Sequence, residues 1–247
     1  MNRSLACLLL LATSSCLTNS VGYREQCIDP DVRLARLLED YDRSKEPAGP
    51  YCGCFPDWDA NDWKPCPDSG HILVDPDRVW NRIEELAFEF PRHEATLLAN
   101  AMIAYEEGER IKSQRYLDQI LSLVQVHPDA AVLRSRLAIE DGNLKTARKL
   151  IDDHIRHVPN HAGLHEALAG IHFLEGMYED AQSEIAVAEE LGAPTWRMAF
   201  NLGLIAETQG ELRQAADFYQ SAYDLNPEME TALARLQGVN ARLYQSR

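Results

Sequence analysis

An all-α fold of repeated helix pairs is what the sequence predicts, and three observations predict it. Gly108, Gly142, Gly176 and Gly210 recur once every 34 residues. The small residues Ser113, Ala147, Ala181 and Ala215 recur at the same period, five places later. Between these markers the apolar residues fall at helical spacing, as in Leu212, Ala215, Ala216, Tyr219, Ala222 and Tyr223. Each period then reads as two antiparallel helices. The glycine ends the first at positive φ, small side chains let the two axes approach at their crossing, and a proline stops the second.

Composition supports a packed protein. The chain has 247 residues, 45% of them apolar, which suffices for a sizeable core. Lys and Arg total 24 against 39 Asp and Glu, a formal charge of -15, and no basic patch interrupts it. Nucleic acid and anionic lipid surfaces are therefore excluded as partners of the folded chain.

Taken in order, residues 1–15 read as an export signal: Arg3, the apolar stretch Leu5 to Ala12, then Thr13, Ser14 and Ser15 before Cys16. The stretch is too short to span a bilayer. It resembles bacterial lipoprotein signals, in which the cysteine following the small residues is acylated, although Thr13 stands where that family prefers Leu. The resemblance implies lipidation at Cys16, with Leu17 compatible with an outer-membrane location facing the periplasm. Ordinary cleavage to a soluble periplasmic or secreted protein is the alternative.

Residues 16–76 form a cysteine-containing module. Leu34, Leu37, Leu38 and Tyr41 share one face of a short helix, and five prolines between Pro47 and Pro67 keep the following run irregular. In an oxidising compartment Cys27, Cys52, Cys54 and Cys66 make two disulfides. A bridge across Cys52-Gly53-Cys54 would be strained, so Cys27 pairs with one of that couple and Cys66 with the other. Asp57, Asp59, Asn61 and Asp68 have the spacing of a calcium loop, but Asp62 replaces its turn glycine, and a solvated acidic loop is the expectation. Cys52, Cys54, Cys66 and His71 are also zinc or copper ligand types; outside the cytoplasm disulfides take precedence.

A capping helix is expected over 77–92, with Val79, Ile83, Leu86 and Ala87 on its buried face, because the end of a repeat array must not meet water. The array follows over 93–227, as repeats 93–127, 128–159, 160–194 and 195–227. Asn160 and Thr195, each after a proline, are expected N-caps. A last capping helix over 228–247 carries Ala232, Leu233, Leu236, Val239 and Leu243.

The array resembles the tetratricopeptide family residue by residue. Leu202, Gly203, Gly210, Ala215, Tyr219, Ala222 and Pro227 meet its pattern in the last repeat, and Leu168, Ala169, Gly176, Ala181, Ile185 and Ala188 in the one before. The second repeat has Ser135, Gly142, Ala147, Ile151 and Pro159 in place, but Arg134 and His154 depart from it. The first is weakest, with Asn100 at a leucine position and its proline displaced to Pro128. The resemblance implies a concave groove lined by the first helix of each repeat: Ala95, Leu98, Met102 and Tyr105; Asp129, Val132, Arg136 and Ile139; Gly163, Glu166, Gly170 and Phe173; Arg197, Phe200, Leu204 and Glu207. It implies a protein or peptide partner held through apolar pockets, with Arg136 and Arg197 offered to a carboxylate. The Lys and Asn residues of the family's chaperone-type clamp are not at their positions. Two other uses suit the same residues, burial against the N-terminal module or cap and contact between copies.

His154, His157, His161, His165 and His172 crowd one junction; packing and surface roles are expected rather than a metal site. A nucleophile elbow, a phosphate loop, a metalloprotease helix motif and a paired-carboxylate pocket are all missing from the sequence, so no catalysis and no cofactor are expected. The reading is an envelope scaffold or adaptor, anchored by lipid, that assists assembly of a pilus, secretion or surface-polymer complex. Its rival is a metal- or ligand-sensing protein acting through the N-terminal module and its aromatics Tyr51, Phe55, Trp58 and Trp63.

Overall fold

A computed structural model describes residues 29–45 and 75–245, and the described residues form helices, turns and connecting loops without a strand. The readings for Cys16, Cys27, Cys52, Cys54, Cys66, Asp57, Asp59, Asn61, Asp68 and His71 lie outside the described residues, as do those for the signal and for Tyr51, Phe55, Trp58 and Trp63. The chain divides into two compact units, Met1–Ile103 and Ala104–Arg247.

The first unit holds α1 (Pro30–Lys45), α2 (Pro76–Glu89) and most of α3 (Glu94–Glu106). α1 buries Leu34, Leu37 and Tyr41, and α2 buries Val79, Trp80, Ile83, Leu86 and Ala87. Arg33 donates to Glu89 at 2.5 Å, and a ring nitrogen of His93 meets the Asp31 carboxylate at 3.0 Å, which ties α1 to the end of α2. Asp75 caps α2 by accepting from the Asp77 amide at 3.1 Å, with Pro76 beginning the helix. Asn100, the residue where the repeat pattern has leucine, is fully buried. Its amide donates to the carbonyls of Ile83 at 3.1 Å and Thr96 at 3.0 Å, so the departure is tolerated because the amide donor is satisfied.

The second unit continues through α4 (Arg110–Leu123), α5 (Pro128–Glu140), α6 (Leu144–Ile155), α7 (Ala162–Leu174), α8 (Tyr178–Glu190), α9 (Thr195–Gln209), α10 (Leu212–Leu225) and α11 (Glu230–Gln245). Consecutive helices pack as antiparallel pairs, and α5 also packs on α7. The periodic glycines carry φ values of 75° to 81°. Each is followed by an amide that reaches back to an orphan carbonyl, as in Asn143 to Ala138 at 2.7 Å and Glu211 to Ala206 at 2.9 Å. Gly192, at φ 95°, ends α8 in the same way, and Ala193 donates to Ala188 at 2.9 Å. Its signal in the sequence is a glycine standing two residues before Pro194.

Two local expectations are corrected. Thr195 is the first residue of α9 rather than its cap, and Asn160 lies one residue before His161, which precedes α7. Neither residue supplies a side-chain cap, because the cap position falls on Pro194 before α9 and on His161 before α7. Pro128 does not close the first repeat but opens α5 at its first turn, where its missing amide is of no consequence, and His127 Nδ1 accepts from the Ala130 amide at 3.2 Å.

The cores sit at the helix crossings. Ala131, Ala138, Ala147, Ile151, Leu164, Leu168 and Ile171 form one cluster, and Ala169, Ala181, Ile185, Ala188, Met198 and Ile205 the next. Where α9 crosses α10, the Tyr219 ring lies on Gly203: a Cβ added there would come within 2.6 Å of the ring. α11 closes this end with Leu236 and Val239 against Ala206, Ala215 and Tyr219. Glu207 takes a hydrogen bond from the Tyr219 hydroxyl at 2.7 Å and from Arg242 at 2.9 Å, joining all three helices. Burial and that carboxylate push the Tyr219 hydroxyl well above the usual tyrosine range.

Candidate functional site

The first helices of three successive repeats, α5, α7 and α9, line a cavity of about 430 Å³ within the second unit. The floor follows from the composition of α7. Ala162, Gly163, Glu166, Ala167 and Gly170 fall on one helical face, and four of the five project almost nothing. A Cβ built on Gly170 would meet no atom within 4 Å, so the space above it is open. Apolar walls come from Val132 and Ile139 of α5, Phe173 at the end of α7 and Leu204 of α9.

Of the residues expected in the groove, Val132, Arg136, Ile139, Glu166, Phe173, Arg197 and Leu204 line this cavity, together with Gly163 and Gly170. Phe200 does not. It packs with Tyr219, ring centroids 5.6 Å apart, and against the residues around Ala222 and Ala232, because α11 offers its side of α9 an apolar surface. Glu207 is likewise turned to α10 and α11. Tyr105 stands behind the lining: its hydroxyl donates to Glu140 at 2.5 Å and its ring lies 5.9 Å from the Arg136 guanidinium. Glu140 is also held by Arg110, which binds Asp141 as well. Leu98 and Met102 belong to α3 in the first unit, Met102 half exposed. Asp129 meets His161 at 3.3 Å rather than facing the cavity.

The charges inside are sparse and arranged. Arg197 Nε lies 3.1 Å from Glu166 Oε1. Burial pushes the Glu166 carboxyl above the ordinary carboxylate range, opposed by the neighbouring Arg197 and Arg136 charges. Arg136 makes no ion pair among the described residues and rests over Tyr105. Two guanidiniums and one reluctant carboxylate thus line a cavity in a chain of net charge -15.

The crowded histidines do not converge. His154 Nδ1 faces the Leu150 carbonyl at 2.8 Å and His157 Nδ1 the Asp153 carbonyl at 2.7 Å. His165 is held between Glu184 at 2.6 Å and the Pro159 carbonyl at 2.7 Å, and His172 faces Arg148. Each is occupied by its own neighbour, and no group of three metal-ligating side chains is assembled among the described residues. Nor is any described helix long and apolar enough to cross a membrane.

Residues 175–230, covering α8 to α10, match the family model of the tetratricopeptide repeat. Residues 175–230 carry the tetratricopeptide pattern. Solved structures of the same fold include a thermophilic tetratricopeptide protein of Thermus thermophilus, 18% identical, with a TM-score of 0.60 over 67% of this chain and 90% of that one. A tetratricopeptide protein from Parabacteroides merdae is 20% identical, with a TM-score of 0.57, covering 66% of this chain and 64% of its own. A chain of the Cut9–Hcn1 hetero-tetramer of the APC/C is 12% identical, with a TM-score of 0.61 over 68% of this chain and 33% of that one. At such identities the likeness is one of fold. Comparison with curated proteins finds no match. The α5–α7–α9 cavity presents open apolar surface.

Proposed function

We propose that the protein is an exported, lipid-anchored adaptor that captures a partner peptide or protein in the tetratricopeptide groove and helps to assemble an envelope complex such as a pilus, secretion or surface-polymer machine. The observation that carries the binding function is the cavity between α5, α7 and α9, floored by Gly163, Ala167 and Gly170 and walled by Ile139, Phe173 and Leu204. At Gly170 a Cβ would meet no atom of the fold within 4 Å, so the open floor there serves no internal contact and gives a partner segment depth. Export and anchoring rest on the sequence from Arg3 to Cys16. In this reading the protein works by binding.

The test joins the two halves of the reading. The full chain and its Gly170→Trp variant are crosslinked in the native host, and the joined proteins are identified. Loss of a defined set of envelope proteins in the variant, at unchanged helical content, supports the groove. Retention of all of them overturns it. In parallel, Cys16→Ser should move the protein from the membrane fraction to the soluble one; an unchanged membrane location would remove the lipid anchor from the proposal.

A further inference from the structure

The groove holds an internal competitor. Glu166 Oε1 lies 3.1 Å from Arg197 Nε, an ion pair outside hydrogen-bond geometry, and both side chains line the cavity that an incoming segment must cover. Arg136, one helix away on α5, carries no such partner among the described residues and is positioned by the Tyr105 ring. A segment that entered with only apolar side chains would leave Arg136 with no opposite charge but the Glu166 carboxylate, already paired with Arg197, which is costly. A segment with an acidic side chain would pair it and would compete with Glu166 for Arg197.

Resting on the groove as the binding site, we propose that its occupant is a polypeptide segment bearing an Asp or Glu side chain beside a bulky apolar one, and that this carboxylate takes Arg197 from Glu166, which accepts a proton from solvent as it is displaced. The apolar side chain seats over Gly170, between Ile139, Phe173 and Leu204. An acidic side chain within the segment suits the site, because the lining runs across three successive helices. Burial already raises the Glu166 carboxyl, so its protonation on losing Arg197 follows the direction in which the cavity pushes it.

The linkage has a sign. One proton taken up on binding tightens affinity by up to about tenfold for each unit of falling pH, for as long as Glu166 is ionised in the free protein and protonated in the complex. The charged groups that face Glu166 are Arg136 of α5 and Arg197 of α9. His161, before α7, is paired with Asp129 at 3.3 Å and is retained in every variant.

The experiment pans a library of random peptides, displayed as internal loops, on the full chain, on Arg136→Gln/Arg197→Gln, on Glu166→Gln and on Gly170→Trp, with helical content checked for each. Selected peptides are then synthesised with their acid and with the matching amide, and titrated across neutral and mildly acidic pH. The expected result is enrichment of an acid beside an aromatic or large aliphatic residue on the wild type. That enrichment should vanish on the double arginine variant and persist on Glu166→Gln, with several-fold tighter binding at neutral pH and a flattened pH dependence. Peptides lost on Gly170→Trp but showing no acid preference would overturn the carboxylate and leave the groove standing. Peptides retained on Gly170→Trp, or no selected peptide at all, would count against the groove itself. A pH slope equal in wild type and Glu166→Gln would overturn the displacement of Glu166.

Discussion

Two neighbouring positions of the repeat behave in opposite ways. Ala101, Ser135, Ala169 and Gly203 occupy one of them in four successive repeats, and all are buried. Met102, Arg136, Gly170 and Leu204 occupy the next; the first three are exposed and Leu204 is half-buried. The first set is uniformly small because it lies at the helix crossing, where bulk would force the axes apart. The second set ranges from no side chain to a guanidinium, because it lies off the crossing, where only Leu204 packs against a core cluster. A single step along the helix separates the residues that make the array from those that give each repeat its own surface.

The largest expected effects lie on the crossing face. Tyr219 is fully buried, and its hydroxyl ties α10 to Glu207 of α9. Tyr219→Ala should therefore cost about 3–5 kcal/mol in denaturant unfolding, as for other large aromatic truncations. Next comes Gly203→Ala, whose new Cβ would collide with the Tyr219 ring at 2.6 Å and 2.7 Å from its nearest atoms. About 1–3 kcal/mol should be lost. The double variant Gly203→Ala/Tyr219→Phe should be no better, since the clash is with the ring rather than the hydroxyl, whereas Gly203→Ala/Tyr219→Leu should recover part of it. A Gly203→Ala variant as stable as wild type would break the comparison.

The crossing face is the part that was legible in the sequence, and the reason is physical. Close packing admits only small residues there, and the turns admit glycine at positive φ, so both repeat with the fold and can be counted. The offsets of the groove residues are legible too, since a helix places them by its own period. What those residues do is not. Arg197 pairs with Glu166 across two helices, a contact that no spacing within one helix encodes. Phe200 is claimed by Tyr219 and the surface that α11 adds, although its position in the repeat is that of a groove residue. The end of an array changes the meaning of a position by supplying a neighbour that inner repeats lack. Asn100 shows the converse: it breaks the leucine pattern and is buried all the same, because a carbonyl of α2 accepts from it.

On the groove face, stability and binding should separate. Gly170 is helical with open space beyond its Cα, so Gly170→Ala should stabilise the array by about 0.5–1 kcal/mol through helix propensity alone. Gly170→Trp should leave the unfolding midpoint near the wild-type value while lowering partner affinity about tenfold or more by filling the floor. The pair of measurements sharpens the contrast with Gly203, where the smallest possible addition already fails. Destabilisation by Gly170→Ala would mean that the space above this glycine is used by the fold.

The smallest effect is electrostatic and depends on pH. The folded state holds the Glu166 carboxyl above its ordinary range, so between the unfolded and folded values the native protein binds more protons than the unfolded chain. Stability from this group is then fully present below the unfolded carboxylate pKa and is lost as pH rises through the folded one. Glu166→Gln, which carries no charge at any pH, should therefore match or slightly exceed wild type at neutral pH and lose that advantage in acid. The ion pair with Arg197 opposes the effect and keeps it small, because Glu166 is only partly desolvated and the Arg197 side chain remains 41% exposed. Removing that partner as Arg197→Gln should enlarge the difference between the wild-type and Glu166→Gln backgrounds, since an unpaired carboxylate in the cavity has only its burial left. Unfolding curves of the four variants of this cycle, at neutral and acid pH, measure the coupling directly. A coupling near zero at neutral pH would show that Arg197 gains as little from Glu166 as from solvent, and a ligand carboxylate would then have nothing to displace.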